Sequence, residues 1–581
     1  MAIEYQERAI DRHFAAFICR LAGREADGLF RLVVSLASSA AGKGSSCLNL
    51  ADITGLIVIA DNREILMPGL DVLMELLKST AVVSYPGGEL RPLVLDASGR
   101  LYLCRYWKYE RELAGILLQK AAATPGDIDE TQFHAILQRL FPGKPDMEED
   151  RQKIAAAVAL RRLFSVISGG PGTGKTSTVV RILALLLEQP GERKRIALAA
   201  PTGKAAARLK ASIERLKSSL DCSDDLRAAI PDDVVTLHRL LDTLPGSSRF
   251  RYSSKNPLPY DTVLVDEASM VALPLMHALV TAIKPGSRLV LVGDMDQLAS
   301  VEAGAVFYDI CNAAMENPAS KVSQCVVRLE RNFRFSDNDG IARLGRLVIS
   351  GKEKDALDDL KAGLLSGISW HPVPSKSEFR RFLSPRVIEG YRSFLETSIP
   401  GEALERFERF RILCALCEGA YGVSGLNRDV EGILYEAGLI EPSGRFYKGC
   451  PIIIAVNDYA LRLFNGDIGI LLPDPEKGGA IRAFFAAKDG KVRSFPPERL
   501  PLHETAYAMT VHKSQGSEFE RVMLILPPSD NELLTRELLY TGLTRARLSV
   551  DLLADETVFS AAVRKRVERK SGLKEGLMAG S

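Results

Sequence analysis

At 581 residues the chain is too long for one hydrophobic core, and three or four domains are expected. With 46% hydrophobic and 25% charged residues it has the composition of a globular protein, which excludes a low-complexity chain. A net charge of +2 excludes a globally basic polyanion binder, so a nucleic-acid partner has to be met by a local basic track.

The chain opens with "MAIEYQERAIDRHFAAFICRLAG". Acidic residues come early and no apolar stretch is uninterrupted, so the segment predicts an amphipathic helix and not a signal peptide. No run approaches the length of a membrane span. The nine Cys have no framework spacing, and the close pair Cys414 and Cys417 lacks the further ligands zinc needs, so buried thiols are expected. These features predict a cytoplasmic, reducing location with no membrane partner.

Residues 1–125 read as a small α+β module. Its last stretch, "RPLVLDASGRLYLCRYWKYERELAGILLQK", predicts a strand, a turn, a second strand and a long helix, before the linker "AAATPGDID". From about 150 the pattern changes. "LFSVIS", "RIALAAP", "TVLVDEAS" and "RLVLVGD" are short, continuously apolar strands alternating with helical stretches, the signature of a parallel sheet buried on both faces. A first α/β lobe is expected over 126–320, with a hairpin-like polar insertion at 241–261. A second lobe is expected over 321–581, beginning with "QCVVRLERNFRF" and carrying a small β-barrel-like insertion at about 440–503. The fold class is therefore α/β, with two parallel-sheet lobes, an N-terminal α+β module and an inserted β unit.

"GGPGTGKT" satisfies G-x-x-x-x-G-K-[ST], follows a strand and opens a helix, which is the context that gives the motif meaning. Gly169, Gly170, Gly172 and Gly174, in a loop shared with Pro171 and Thr173, would let backbone N–H groups wrap around phosphates at a helix N-terminus. Lys175 would reach the β- and γ-phosphates, and Thr176 would offer its hydroxyl to Mg²⁺. Asp266, ending another buried strand, would hold the Mg²⁺, and Glu267 beside it would orient the attacking water as general base. The pattern predicts ATP hydrolysis with ATP and Mg²⁺ bound. Gln297 in "VGDMDQLASVEAG" lies beyond a further strand, where a γ-phosphate sensor would sit. Arg334 and Arg545 are candidates for arginines that stabilise charge in phosphoryl transfer, an effect of about 10³–10⁵ in rate.

Taken in order, "GGPGTGKTST", "APTGKAAARL", "TLHRLL", "LVDEASM", "VGDMDQLASVEAG", "LERNFRF", "AMTVHKSQGSEF" and "LLYTGLTRAR" resemble the motifs of a superfamily-one DNA helicase. More narrowly the chain resembles the RecD family, the alpha subunits of exodeoxyribonuclease V. "RLYLCRYWKYERELA", "YGVSGLNRDVE" and "VNDYALRLFNGDIGIL" extend the resemblance outside the motor, over nearly the whole chain. The resemblance implies two RecA-like lobes, with Gln152 reading adenine and Gln297 coupling hydrolysis to motion. It implies that Arg334 and Arg545 are γ-phosphate arginines and that the 241–261 insertion is a pin-like hairpin. Thr202, Lys204 and His238 fall in motifs lining a single-strand channel. In "TVHKSQGSEF", Thr510, His512, Lys513 and Ser514 would face DNA, and Gly516 and Glu518 the ATP side.

The function so implied is an ATP-driven translocase on single-stranded DNA that separates strands at duplex ends, travelling 5′ to 3′. RecB-like and RecC-like subunits would complete a heterotrimer acting in double-strand break repair and recombination, with the N-terminal module as docking surface. Acidic residues outside the ATP site are dispersed, so exonuclease activity would belong to the complex and not to this chain. Two alternatives stay open: a stand-alone helicase without partners, and a regulatory subunit whose ATPase does not depend on DNA.

Overall fold

The computed structural model describes residues 2–25, 27–60, 63–126, 128–142, 150–190, 194–244, 246–247, 249–333, 339–442, 444–458, 460–487 and 491–579. Among them, no helix is long and apolar enough to cross a membrane.

The first lobe is built on a six-stranded sheet in the order Val234–Thr236, Ile196–Ala200, Thr262–Val265, Arg288–Gly293, Phe164–Gly169 and Val326–Leu329. Every pairing is parallel. Successive side chains point to opposite faces, which explains the near-continuous apolar runs. Val263 and Val265 face a layer containing Met276 and Leu279, whereas Leu264 faces one containing Val179 and Leu183.

Two boundaries differ from expectation. The strand Val326–Leu329, expected to begin the second lobe, pairs with Phe164–Gly169 and completes the first sheet. Val327 and Leu329 are buried there, and that contact, more than 150 residues away along the chain, decides the strand's lobe. The long helix Cys104–Ala122, expected within the N-terminal module, lays Leu113, Ala114, Leu117 and Ala121 against the first lobe.

The N-terminal module holds helices Ala9–Ala22 and Gly28–Gly42, a three-stranded sheet and a four-stranded sheet. The strands Leu93–Leu95 and Arg100–Leu103 and the helix after them follow the predicted pattern. The second lobe has a five-stranded, all-parallel sheet in the order Ile368–His371, Ala546–Leu553, Phe519–Ile525, Phe410–Cys414 and Ala508–Thr510. Inserted before Ala508–Thr510 is a five-stranded antiparallel sheet formed by strands between Pro451 and Thr505. In the 241–261 insertion, Thr243 bridges Phe250 and Ser253 bridges Asn256, both antiparallel.

The C-terminal segment returns to the first lobe. Helix Leu573–Ala579 buries Leu573 and Leu577 against the layer that contains Leu113 and Leu117. The approach to it is bonded on three sides. Val567 N donates to Glu537 Oε2 at 3.0 Å in the second lobe, and Arg569 Nη1 to Glu302 O at 3.0 Å in the first. Ser46 N of the N-terminal module donates to Lys570 O at 2.9 Å.

Candidate functional site

Strand Phe164–Gly169 is fully buried and delivers the chain into the phosphate-type loop. Gly172 (φ 83°) and Gly174 (φ 81°) occupy the left-handed region, which turns successive N–H groups to one side at no steric cost. Helix Lys175–Leu187 starts immediately after, so the loop closes on a helix N-terminus. Lys175 Nζ donates to Gly169 O at 2.6 Å and Gly170 O at 3.1 Å, and Thr173 Oγ1 donates to Gly170 O at 2.8 Å. Thr176, half-buried, is the second residue of the helix. Gln152 is buried, its Nε2 donating to Thr173 O at 3.1 Å while its Oε1 accepts from Arg181 Nη1 at 3.1 Å. A Cβ on Gly174 would lie 2.2 Å from Gln152 Nε2, so a side chain there would displace that amide in addition to straining the left-handed backbone.

Beyond the sixth strand the chain crosses the loop. Asn332 Nδ2 donates to Pro171 O at 2.9 Å and Phe333 N to Gly172 O at 2.8 Å. Arg334, the next residue, lies outside the described residues.

Asp266 follows strand Thr262–Val265, and its backbone N donates to Ala199 O at 2.9 Å. Burial, with the neighbouring Glu267 charge adding, pushes its carboxyl up to about 6; Lys175 and Arg208 pull the other way. Glu267 sits at φ 52°, a left-handed conformation that costs a non-glycine residue about 1–3 kcal/mol. Asp294, which sequence reasoning passed over, ends strand Arg288–Gly293 as Asp266 ends its own. Burial pushes it up to about 6 as well, against the opposing pull of Lys175. Gln297 Nε2 donates to Asp294 Oδ2 at 2.9 Å.

The second lobe grips these residues. Tyr540 Oη donates to Asp294 Oδ2 at 3.2 Å, Thr541 Oγ1 accepts from Leu298 N at 2.9 Å, and Gln515 Nε2 donates to Leu298 O at 2.7 Å. Arg545 is buried in the same wall. Its Nε donates to Thr541 O and its Nη1 to Ser517 O, both at 3.1 Å. Burial lowers its pKa, while Glu267 and Glu518 oppose that shift. Glu518 pairs with Arg208 of the first lobe and accepts from Arg547 Nε at 3.1 Å. At Gly516 (φ 73°) an added Cβ would stand 3.5 Å from Ala205 Cβ and 3.7 Å from Thr202 Oγ1, so this turn lies close against helix Gly203–Lys217.

The residues expected to face DNA divide into two groups. Lys204, His238, His512 and Lys513 are partly exposed. Lys204 Nζ is 3.5 Å from the Glu408 carboxylate, and burial lowers its pKa against the pull of that partner. His238 lies 5.9 Å from the Phe250 ring of the inserted hairpin. Burial lowers both histidines, with Arg569 adding at His512 and Glu302 opposing at His238. Lys513 Nζ donates to Glu504 Oε2 at 2.7 Å. Thr202 caps helix Gly203–Lys217, accepting from Ala205 N at 3.2 Å. Ser514 and Thr510 are the buried members of the set. Ser514 is 0% exposed and donates to Val511 O at 2.7 Å, and buried Thr510 accepts from Lys513 N at 3.2 Å. Both hydroxyls make hydrogen bonds within the turn.

Asp294, Tyr540, Thr541, Gln515 and Arg208 were missed. Asp294 left a signal of its own, since "RLVLVGD", like "TVLVD", is an apolar strand ending in Asp; the other four lie inside the motif stretches without any feature that singles them out.

Three family matches cover separate parts of the chain: "RecBCD enzyme subunit RecD, N-terminal domain" over residues 6–102, "AAA domain" over 152–303, and "UvrD-like helicase C-terminal domain" over 505–553. RecBCD enzyme subunit RecD of Mycobacterium tuberculosis is 38% identical, the match covering 98% of this chain and 94% of that protein. Its counterpart in Mycolicibacterium smegmatis is also 38% identical, over 98% of this chain and 97% of that one. ATP-dependent RecD2 DNA helicase of Deinococcus radiodurans is 30% identical over 83% of this chain and 59% of its own length. With its N-terminal, ATPase and helicase C-terminal regions all matched and near-full-length identity of this order, the chain belongs to the RecD family of helicases.

Proposed function

We propose that the chain is an ATP-driven single-stranded DNA translocase and DNA helicase, working with RecB-like and RecC-like subunits on duplex ends in double-strand break repair. One observation carries the motor reading. The turn from Thr510 to Glu518 reaches Leu298, four residues beyond Asp294, through Gln515, and it also carries the partly exposed His512 and Lys513. A single rigid turn joined to both places transmits a change at the phosphate end to a strand in the groove.

The residues present suit ATP with Mg²⁺. The glycine loop supplies N–H donors, and Asp266 is a buried carboxylate whose raised pKa reflects burial that a bound cation would offset. Thr176 and Asp266 would hold the Mg²⁺, which when bound neutralises charge on the phosphates. Lys175 would leave the carbonyls of Gly169 and Gly170 for the β- and γ-phosphates. Glu267 would orient the water, Gln152 would read the base, and Gln297 with Arg545 would report phosphate status to the second lobe. Arg334 is proposed for the same task. Lys204, His238, His512 and Lys513 would hold backbone phosphates without sequence preference, so binding should weaken steeply with salt. The 5′-to-3′ direction is proposed from the family resemblance.

Three units are proposed: an N-terminal docking module ending before Cys104, a first lobe reaching Leu329, and a second lobe with its inserted sheet. Helix Ala9–Ala22 supports docking. One side buries Ala15, Ile18 and Cys19, yet Ile10 (67%), Phe17 (51%) and Leu21 (52%) are exposed at spacings of one helical face.

Steady-state ATPase with and without single-stranded DNA, together with unwinding of 5′- and 3′-tailed duplexes, tests the reading. Turnover stimulated by DNA and abolished in Lys175→Gln is expected. A rate indifferent to DNA would remove the motor, and substantial turnover by Lys175→Gln would show the ATP site to be misplaced.

A further inference from the structure

Helix Gly203–Lys217 directs two cations at the second lobe. Lys204 and Arg208 are one helical turn apart on the same face, the first meeting Glu408 and the second Glu518. The Glu518 side chain is only 4% exposed, and its carboxylate is shared between Arg208 and Arg547. Arg208 therefore closes an ion pair across the seam, while Arg547 binds the same carboxylate from within the second lobe.

The surroundings of this pair tie it to the phosphate end of the site. Burial opposes the charge on Arg208, but Glu518, Glu267 and Asp266 outweigh it and raise its pKa. The charges of Glu267, Glu518 and Arg208 are also felt by Arg545. Acid and base thus alternate across the seam, with Glu267 and Arg208 from the first lobe and Glu518 and Arg545 from the second. The mechanical link is short. Arg545 Nη1 donates to the carbonyl of Ser517, the residue joined to Glu518 by a peptide bond. The carboxylate that meets Arg208 and the carbonyl that anchors Arg545 therefore belong to adjacent residues of one turn. Gly516 faces the helix that carries Arg208, and a Cβ added to it would reach van der Waals contact with Ala205 at 3.5 Å.

We infer that Arg208 is a positioning residue for ATP hydrolysis: through its ion pair with Glu518 it fixes where the second lobe's Arg545 stands relative to Glu267. This rests on the hydrolysis reading above. Arg208 acts through Glu518 and the peptide beside it, so its loss should slow turnover without weakening capture of the nucleotide. Because Arg547 still holds Glu518 when Arg208 is neutral, the carboxylate is not stranded and the fold survives the substitution.

The test uses the full-length chain with saturating single-stranded DNA. kcat, KM for ATP and thermal midpoint are measured for the wild type, Arg208→Gln, Glu518→Gln, the double variant, Arg208→Lys and Lys175→Gln. Arg208→Gln should lower kcat about tenfold with KM changed by less than about threefold. The double variant should be no slower than the slower single variant, since both remove one interaction. Arg208→Lys, which keeps the charge but loses the planar fork, should recover part of the rate. Wild-type kcat in Arg208→Gln, single losses that multiply in the double, or a loss confined to KM would each overturn the assignment. Should Arg208→Gln be too unstable to assay, Arg208→Lys decides: a reduced kcat at unchanged KM supports it, and a wild-type kcat overturns it. Failure of the wild type to hydrolyse ATP, or turnover by Lys175→Gln, would instead defeat the hydrolysis reading, whatever Arg208 does.

Discussion

The hydroxyl of Tyr540 donates to Asp294 Oδ2 at 3.2 Å, joining a helix of the second lobe to the end of a first-lobe strand. The same oxygen accepts from Gln297 Nε2 at 2.9 Å, and an added Cβ on Gly170 would stand 2.7 Å from the Tyr540 oxygen. One phenol thus touches the proposed sensor strand and the rim of the phosphate loop.

Removing that hydroxyl should loosen the lobes without emptying the ATP site. A hydrogen bond to a charged group contributes about 1.5–3 kcal/mol, so Tyr540→Phe should cut DNA-stimulated kcat roughly tenfold or more and leave KM for ATP nearly unchanged. Gly170→Ala should be harmful alone, because its methyl meets the phenolic oxygen, and partly relieved by Tyr540→Phe, which removes that oxygen. Kinetics of the four proteins in one double-mutant cycle check this; equal damage by Gly170→Ala in both backgrounds contradicts it.

Both partly exposed lysines of the proposed groove are held by carboxylates, Lys204 by Glu408 and Lys513 by Glu504. A phosphate must displace these partners. Glu504→Gln should therefore raise affinity for single-stranded DNA about two- to fivefold at low salt, and Lys513→Gln should flatten the plot of log affinity against log salt by about 0.7. Anisotropy titrations at several salt concentrations give both quantities.

The fold around the seat of the C-terminal segment should be more stable in acid than in base. Glu110 accepts from Gly572 N at 2.9 Å, and Asp309 accepts from Ser571 Oγ at 2.8 Å. Burial pushes both carboxyls up to about 7, in each case against its hydrogen bonds. A carboxyl whose native pKa lies above its unfolded value keeps protons the unfolded chain has released. Its contribution is complete at low pH and is lost as pH rises through about 7. For Glu110 alone the shift from 4.5 corresponds to roughly 3 kcal/mol. Thermal midpoints between about pH 5 and pH 8 should fall with rising pH in the wild type and fall less in Glu110→Gln. At the alkaline end Glu110→Gln should be at least as stable as the wild type. Parallel curves for the two proteins would contradict this.

Much of this architecture was legible because it is written locally. Buried parallel strands are short apolar runs, and the glycine loop must combine left-handed residues with a following helix, so "GGPGTGKT" announced itself. What escaped was decided by distant partners. A strand of four residues, Val326–Leu329, says nothing about which sheet it joins until its register against Val166–Gly169 is known. Arg208 lies in "APTGKAAARL" as one more cation of an amphipathic helix, and its partner is a carboxylate 310 positions later. Ser514 is the opposite case. A hydroxyl among other polar groups reads as a ligand contact, and the turn had already spent it on its own Val511 carbonyl.

The return of the C-terminal helix to the first lobe sets a geometric stop. Helix Glu556–Arg564 travels with the second lobe, and helix Leu573–Ala579 is seated on the first. A fully stretched backbone between Arg564 and Leu573 spans roughly 30 Å at most, at about 3.3–3.6 Å per residue. While the last helix stays seated, the jaws of this machine are leashed, and a stroke that exceeds the leash must first unseat it.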